Sequence, residues 1–471
     1  MSDPTTPPVC NVCSEVVAHD LCIGCGMCAG ICPERTLAIG FNEFGEYTCR
    51  DAKNACVATC DLCLRVCPFW CDQTDNEDTL ARQRFGGVAG IEHHAEVGYH
   101  LEARVGYSNG RRHRANGASG GLATWTLEAL LAERWVDRVC CVRPTGERDR
   151  LFEFAVCDSP EQVQACSRSC YYPVETSRIV QHILDNKSRY AVIAQPCYLK
   201  AFRLAMQAHP KLRDRVTVLL GLVCGQAKSR FFAEYACALG GGNPGGLDEV
   251  VFRVKDPRRA AWDYGMKFAS DVGTDEAREG TIYWSEGMDS AWFARLFTPN
   301  ACSYCDDAFC ELGDAAFMDA WLDEYAGDPS GTSLMIVRSP VLRELFDRGE
   351  RNGELRLDPI AMDRVIESQR GPLKFKRWDL PKRLARTIRT GRRAPAKRVK
   401  PALRLTWLNR FLLSAMARTT ACSKEAFLAQ RKRGPGLAVF RRAMLAGQWY
   451  YYLVKIIVGL DRIKKGRNPC A

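Results

Sequence analysis

The sequence predicts an α/β protein in three parts: a small cysteine-rich module, a larger layered α/β domain, and a basic, mainly helical extension. Between about residues 95 and 370, β-rich runs such as Tyr190-Ala-Val-Ile-Ala and Val216-Thr-Val-Leu-Leu-Gly-Leu-Val alternate with helix-period segments. Alternation of that kind builds sheets covered by helices. Residues 1–75 carry one dense cysteine pattern twice, punctuated by Gly and Pro, which reads as a short internal repeat. From residue 371 the composition turns basic. The expected units are therefore 1–75, 95–370 and 371–471.

The chain has 471 residues, enough for two or three domains, and its 46% hydrophobic and 26% charged residues exclude global disorder. Its 25 cysteines are the outlier. Many stand in CxxC-type groups, and the opening Met-Ser-Asp-Pro-Thr-Thr-Pro-Pro contains no apolar secretory core. This favours metal ligation in a reducing compartment, so a cytoplasmic location is expected. Cys140, Cys141 and Cys237 read instead as buried apolar residues. No run of 18 apolar residues occurs, so no spanning helix is expected.

From Arg370 onward the chain holds 27 Lys and Arg against 3 Asp and Glu, a net +24 that leaves the remainder at −13. The extension also contains the aromatic and apolar run 449–460, Trp-Tyr-Tyr-Tyr-Leu-Val-Lys-Ile-Ile-Val-Gly-Leu. Two readings stand. The extension anchors peripherally on an anionic surface at the inner membrane face, or its charges meet an acidic partner or the chain's own acidic body.

Cys22-Ile-Gly-Cys25-Gly-Met-Cys28-Ala-Gly-Ile-Cys32-Pro33 has the spacing C-x2-C-x2-C-x3-C-P. Three thiolates from one tight loop suit three corners of a cubane cluster, while the fourth leaves the loop for another cluster. Cys56-Val-Ala-Thr-Cys60-Asp-Leu-Cys63-Leu-Arg-Val-Cys67-Pro68 repeats it, with its first gap one residue longer. Crossed ligation pairs Cys22, Cys25 and Cys28 with Cys67, and Cys56, Cys60 and Cys63 with Cys32. Zinc held by four cysteines is the rival reading. The region resembles the bacterial ferredoxin module with two [4Fe–4S] clusters. Cys10 and Cys13 form a further CxxC, either a metal half-site or a spare pair, and Cys49 and Cys71 read as spectators.

Ala118, Ser119, Gly120 and Gly121 precede Leu122, Trp125, Ala129 and Leu130, whose spacing is helical. Ser119 suits an N-cap, and the two glycines would let a diphosphate or flavin edge approach bare N–H groups, with Arg111, Arg112 and Arg114 just upstream. A plain capped helix explains the same residues. Cys302 and Cys305 supply two ligands from one loop; Cys197 and Cys224 each follow a β-rich run and would complete a third cluster, with Cys310 in reserve. The histidines His93, His94, His100 and His113 sit in polar, loop-like context. Trp125, Trp135, Trp262, Trp292 and Trp321 read as core.

Five motifs follow in order: Ala118-Ser-Gly-Gly; Gln195-Pro-Cys197 with Leu199 and Arg203; Gly221-Leu-Val-Cys224-Gly225; Cys302-Ser-Tyr-Cys305-Asp-Asp307; and Leu312-Gly-Asp314-Ala-Ala-Phe-Met-Asp319-Ala-Trp321. This order resembles the family of beta subunits of coenzyme F420 hydrogenase and dehydrogenase, over roughly residues 20–350. The resemblance implies a ferredoxin-like module fused to a flavin-binding α/β domain, with FAD and at least one [4Fe–4S] cluster in that domain. It departs from the family at Gln195, at Cys170 (where the family has lysine) and at Met318 (where it has glycine). These changes bear on the deazaflavin substrate more than on flavin or clusters. The implied function is an oxidoreductase passing electrons between FAD, in hydride exchange with F420 or another organic substrate, and the clusters. The partner would be a deazaflavin or nicotinamide cofactor, or a donor or acceptor protein. The alternatives are a non-catalytic electron-transfer subunit docked on an enzyme, and a polyanion-binding protein, although no nucleic-acid fold accompanies the basic extension.

Overall fold

The computed structural model describes residues 10–445 except 54, 55 and 58, together with 447, 452, 453 and 456. Eight strands form the main sheet: β1 (Glu102–Ser108), β2 (Arg138–Glu147), β3 (Arg150–Cys157), β4 (Tyr190–Ala194), β5 (Val216–Leu222), β6 (Ala315–Asp319), β7 (Ser333–Val337) and β8 (Leu355–Pro359). Their order is β8-β1-β7-β6-β5-β4-β2-β3. The four strands β2, β4, β5 and β6 run parallel, and the flanking strands are antiparallel. Every residue of β4 is buried, as a strand covered on both faces requires, which is why it reads as an uninterrupted apolar run.

Each face of the sheet has its own core. Leu122, Trp125 and Leu130 of the helix Leu122–Ala132 pack with Leu342, Leu345 and Phe346 of Pro340–Arg351 on one face. Helices Pro196–Ala208 and Phe231–Leu239 pack on the other, beside a three-stranded sheet of Leu247–Val254, Gly265–Ser270 and Arg278–Tyr283. Adjacent residues Cys140 and Cys141 of β2 fall into opposite cores, as the two-residue period of a strand dictates.

The cysteine-rich segment folds as the antiparallel hairpin Leu37–Phe41 and Tyr47–Asp51 with short helices Met27–Ile31 and Leu62–Arg65. It is joined to the body rather than tethered to it. Thr176 donates to the Cys25 carbonyl through its N–H (2.8 Å) and its hydroxyl (2.7 Å). Gly30 lies so close to helix Ser177–Asp185 that an added Cβ would stand 2.7 Å from Val180 Cβ.

The basic extension is mainly helical, with helices Leu380–Arg389 and Trp407–Arg431, and it lies on the acidic body. Lys397 pairs with Asp306 at 3.0 Å, Arg398 with Glu311 and Asp78 at 2.5 and 2.6 Å, Lys424 with Glu46 at 2.9 Å and Arg431 with Glu234 at 3.0 Å. Phe427, fully buried, packs among Phe231, Tyr235, Phe297 and Phe440. Of the two readings of the positive charge, cover for the chain's own acidic body accounts for these residues. Most of the run 449–460 lies outside the described residues. Among the described residues no helix is long and apolar enough to cross a membrane.

Arg398 reaches the buried carboxylates of Asp306 and Glu311 and the half-exposed one of Asp78. Arg398→Met should lower stability by about 3–5 kcal/mol, the cost of breaking a buried ion pair on one side, read as a lower thermal midpoint. Glu77 sits in the same network. Burial opposes its charge, but Lys200, Lys397 and Arg398 outweigh it and hold its carboxyl far below the usual range. Because the folded value is depressed, this contribution is complete above the ordinary value of 4.5 and is lost as pH falls below it. Acid should therefore unfold the wild type earlier than a Glu77→Gln, Lys200→Met double variant, compared by their midpoints relative to neutral pH.

Candidate metal and cofactor site

The carboxyl ends of parallel strands are where open α/β sheets bind ligands, and here that edge carries sulfur. β4 ends at Ala194, and the chain turns through Gln195 and Pro196 into helix Pro196–Ala208, with Cys197 in its first turn. Proline at the first helical position needs no N–H partner, and the positive end of the helix favours a thiolate there. β5 ends at Leu222, two residues before Cys224. Cys302 and Cys305 come from the 3-10 turn Asn300–Tyr304 and its end. These four thiols share one neighbourhood: Cys224, Cys302 and Cys305 all act electrostatically on Cys197.

Burial dominates their chemistry. It pushes Cys302 up to about 12 and, together with the neighbouring thiols, lifts Cys197 well above the ordinary range. A cation bound there would take the place of the protons that burial favours on Cys197, Cys224 and Cys302. One buried cation already stands beside them. Lys376, in the π-helical turn Lys374–Trp378, donates to the Asp307 carbonyl at 2.8 Å. Burial opposes its charge, but Cys305, Cys224 and Asp307 raise it above the ordinary lysine value. Ala227 N–H points at Cys302 Sγ at 3.3 Å. Cys310 is buried against Gly221, with no room between them for a Cβ on that glycine.

A second thiol set lines a small cavity: Cys22, Cys25, Cys28 and Cys67, with Val12, Ile39 and Phe69. Gly24 (φ 72°) and Gly26 (φ 81°) shape its loop. Both conformations favour glycine, and a Cβ would strike Tyr47 O in the first case and Glu175 in the second. Burial pushes Cys22 up to about 11. Cys63 interacts with Cys56 and Cys60, whereas the Cys32 thiol lies 3.5 Å from Thr36 Oγ1. Cys49 contacts both Cys13 and Cys28, a neighbourhood that nothing in its local sequence announces. Cys197 packs against the core cluster that contains Cys25, which also acts on it electrostatically.

Spacing separates a single ion from a cluster. Three thiolates sharing one zinc at about 2.3 Å stand roughly 3.8 Å apart. Among the described residues, the group of three or more metal-ligating side chains whose donor atoms all lie within 4.8 Å is Cys141, Cys157 and Cys166. Among the described residues, no three thiols of the sets at Cys22 and Cys197 come within that distance of one another.

The loop Ala118–Gly121 divides its residues differently from the sequence expectation. Ala118 and Ser119 line a narrow cavity with Arg253, Lys255, Tyr264, Asp319 and Trp321. Ser119 is not the N-cap: Gly121 holds that position at φ 80°, and Ser119 Oγ donates to Thr332 O at 2.6 Å. Gly120 approaches the sheet, where a Cβ would lie 2.5 Å from Gly106 O, and Gly121 approaches His113. The glycines therefore permit a close joint within the protein, and the cavity is made by their neighbours. Arg253, itself strained at φ 58°, forms a bidentate pair with Asp319, 2.9 Å in each arm, beneath Tyr264 and Trp321. Lys255 donates to the carbonyls of Arg114, Ser119 and Ser330 at 2.5–2.8 Å. Burial first, then the Arg253 and Arg114 charges, bring it down to about 8. Trp321 belongs to this cavity rather than to a core. From Tyr264, the aromatics Tyr171 and Trp292 continue toward Gly225, beside Cys224. His113 is helical and bridges Ser108 Oγ and Glu128 at 2.8 Å each. Ser108 is buried, so the chain of three is a structural brace.

Family models describe the same stretch. The model for the amino-terminal part of the coenzyme F420 hydrogenase/dehydrogenase beta subunit matches residues 103–181, and that for its carboxy-terminal part matches 187–363, together more than half of the chain. One subunit of the F(420)H(2) dehydrogenase from Methanosarcina mazei is 21% identical over 358 residues, covering 74% of this chain and 87% of that one. A chain of the F420-reducing [NiFe] hydrogenase complex from Methanosarcina barkeri superposes with a TM-score of 0.49 at 14% identity, over 65% of this chain and 99% of that one.

The position of Gly120 leads to a direct test. Gly120→Val should break the joint between the loop and β1 and lower the thermal midpoint even in protein stripped of every cofactor. An unchanged midpoint, with loss of ligand binding alone, would return Gly120 to the cavity.

Proposed function

The chain belongs to the family of coenzyme F420 hydrogenase/dehydrogenase beta subunits, and from that premise we propose that it is an iron–sulfur flavoprotein oxidoreductase. The observation that supports the reading is that Cys197 packs against the core cluster that contains Cys25, whose thiol acts electrostatically on it. Cys22, Cys25, Cys28 and Cys67 would hold one [4Fe–4S] cluster; Cys56, Cys60 and Cys63 a second with Cys32; and Cys197, Cys224, Cys302 and Cys305 a third. The cavity at Ala118 and Ser119 suits FAD or its organic partner: Arg253 and Lys255 offer positive charge, and Tyr264 and Trp321 offer faces for a planar ring. When bound, these groups supply hydride exchange on one side and single-electron transfer on the other.

The protein's own residues set the conditions. Lys376 offsets negative charge on the Cys197 set, which favours electron arrival there. Lys255 ties the Ser119 loop to Ser330 and brings a positive charge to the cavity. The pair Arg253–Asp319 fixes the cavity floor, and Tyr171, Tyr264 and Trp292 exclude water from the path between cavity and thiols. Cys170 and Met318, where the family has lysine and glycine, make an organic substrate other than F420 the more open choice. A second reading is an electron-transfer subunit without its own substrate. It is favoured by the Methanosarcina mazei relative, itself one subunit of a dehydrogenase.

Anaerobically purified protein should carry about twelve irons and as many sulfides, four per cluster. Cys25→Ser and Cys302→Ser should each lose about a third of the iron; full iron in both variants would remove these cysteines from the ligand sets. Reduction of the bound flavin by reduced F420, NADH or NADPH in the isolated chain supports the enzyme. Reduction only through a protein donor supports the subunit reading.

Lys255 makes cavity binding pH-dependent. Its charge is present below about 8 and lost above it, so FAD should bind more weakly as pH rises through that value. Lys255→Met should flatten the profile in a fluorescence titration. A flat wild-type profile would take Lys255 out of anion binding.

A further inference from the structure

Cys141, Cys157 and Cys166 lie apart from both thiol sets. Cys141 is on β2 and Cys157 at the end of β3, where the antiparallel register pairs Val139 with Cys157 and Cys141 with Ala155. The two cysteines are thus diagonal neighbours on one face. Helix Pro160–Ala165, capped by the Ser159 side chain, covers that face and ends at Cys166. Cys141 and Cys157 are buried, and Cys166 is half-buried. All three sit in the core that also holds Leu122 and Phe346, while Cys25 belongs to the core of the opposite face.

The Cys141 and Cys157 sulfurs stand 3.8 Å apart, the Cys157 and Cys166 sulfurs 3.7 Å, and all three fall within 4.8 Å of one another. Tetrahedral coordination at a zinc–sulfur distance of about 2.3 Å requires sulfurs roughly 3.8 Å apart. An iron–sulfur cubane spreads its ligands over several irons and does not fit between thiols this close. We propose that Cys141, Cys157 and Cys166 bind one zinc ion through three thiolates, with the fourth position open to water at the half-exposed Cys166.

Binding releases the thiol protons and leaves one net negative charge on the site. Arg143, on the same strand as Cys141, supplies the nearby positive charge and acts electrostatically on Cys157 and Cys166. The ion would clamp the outermost strand pair of the sheet to the helix that follows it. That edge is where a sheet opens most easily, and among the described residues β3 is the end strand of this sheet.

The test uses the full chain, purified anaerobically and passed through a chelating column. One zinc per chain should remain beside the iron. X-ray absorption at the zinc edge should show three sulfurs at about 2.3 Å. Cys166→Ser and Cys157→Ser should each lose the zinc and keep the wild-type iron content and cluster spectrum. The Cys166 change falls at a half-buried helix end, which keeps the variant foldable. Should both variants fail to fold, the wild-type zinc content and absorption spectrum decide alone. Zinc that persists in a folded variant at the wild-type level overturns the assignment, because it then occupies other thiols. So does wild-type protein free of zinc, whether its three cysteines are all alkylated or two of them are joined as a disulfide.

Discussion

Four thiols, Cys302 buried and Cys197, Cys224 and Cys305 partly so, are held in one neighbourhood in a medium that opposes charge, and much of the chain is arranged around that constraint. Cys197 and Cys224 reach the place because β4 and β5 are parallel neighbours that end at the same edge. Cys302 and Cys305 reach it because their loop is pinned from behind. The buried Arg338 donates to the carbonyls of Phe309, Cys310 and Gly313, and also to those of Val97 and Tyr99. Asp307 accepts the N–H groups of Phe309 and Glu311 within the same loop. Removing a guanidinium with five carbonyl partners would leave those acceptors unsatisfied in the interior, which is costlier than losing an ordinary hydrogen bond.

The same constraint accounts for the basic extension. A low-dielectric site that gathers thiols beside Asp306, Asp307 and Glu311 needs cations, and a small domain has few interior positions for them. Here they arrive from later in the chain as Lys376, Lys397 and Arg398. Each is buried, and each offsets its desolvation cost against a carboxylate or carbonyl. The asymmetry of +24 against −13 is thus an internal complementarity at these residues, and the extension is part of the domain it covers.

The alternation of β-rich and helical segments was legible because its period is local. β4 and β5 coincide with the two runs that the sequence singled out, and the helix Leu122–Ala132 follows its apolar spacing. Cys197 and Cys224 drew attention for a related reason, since each follows a strand end, where a side chain can be aimed, whereas Cys302 and Cys305 were picked out by their CxxC spacing in a loop. Other features depended on approaches between distant segments. Nothing local distinguishes a glycine that meets a cofactor from Gly120, which meets Gly106 across the sheet joint. Nothing local announces that Arg253, Lys255 and Trp321 converge on Ser119. Cys141 read as core because the sequence shows its neighbours along one strand, whereas Cys157 and Cys166 come from the next strand and the helix after it.

Cysteine content by itself therefore under-determines chemistry in this chain; distance between sulfurs decides it. Among the described residues, the thiols around Cys22 and around Cys197 do not reach the spacing of a single ion. Cys140 and Cys237 are buried without such a group, and burial pushes Cys237 up to about 12, the behaviour of an inert apolar thiol. Cys141, Cys157 and Cys166 have the spacing of a single ion. Three environments built from one residue type follow from where strands end, how strands pair and which cations the fold can bring inside.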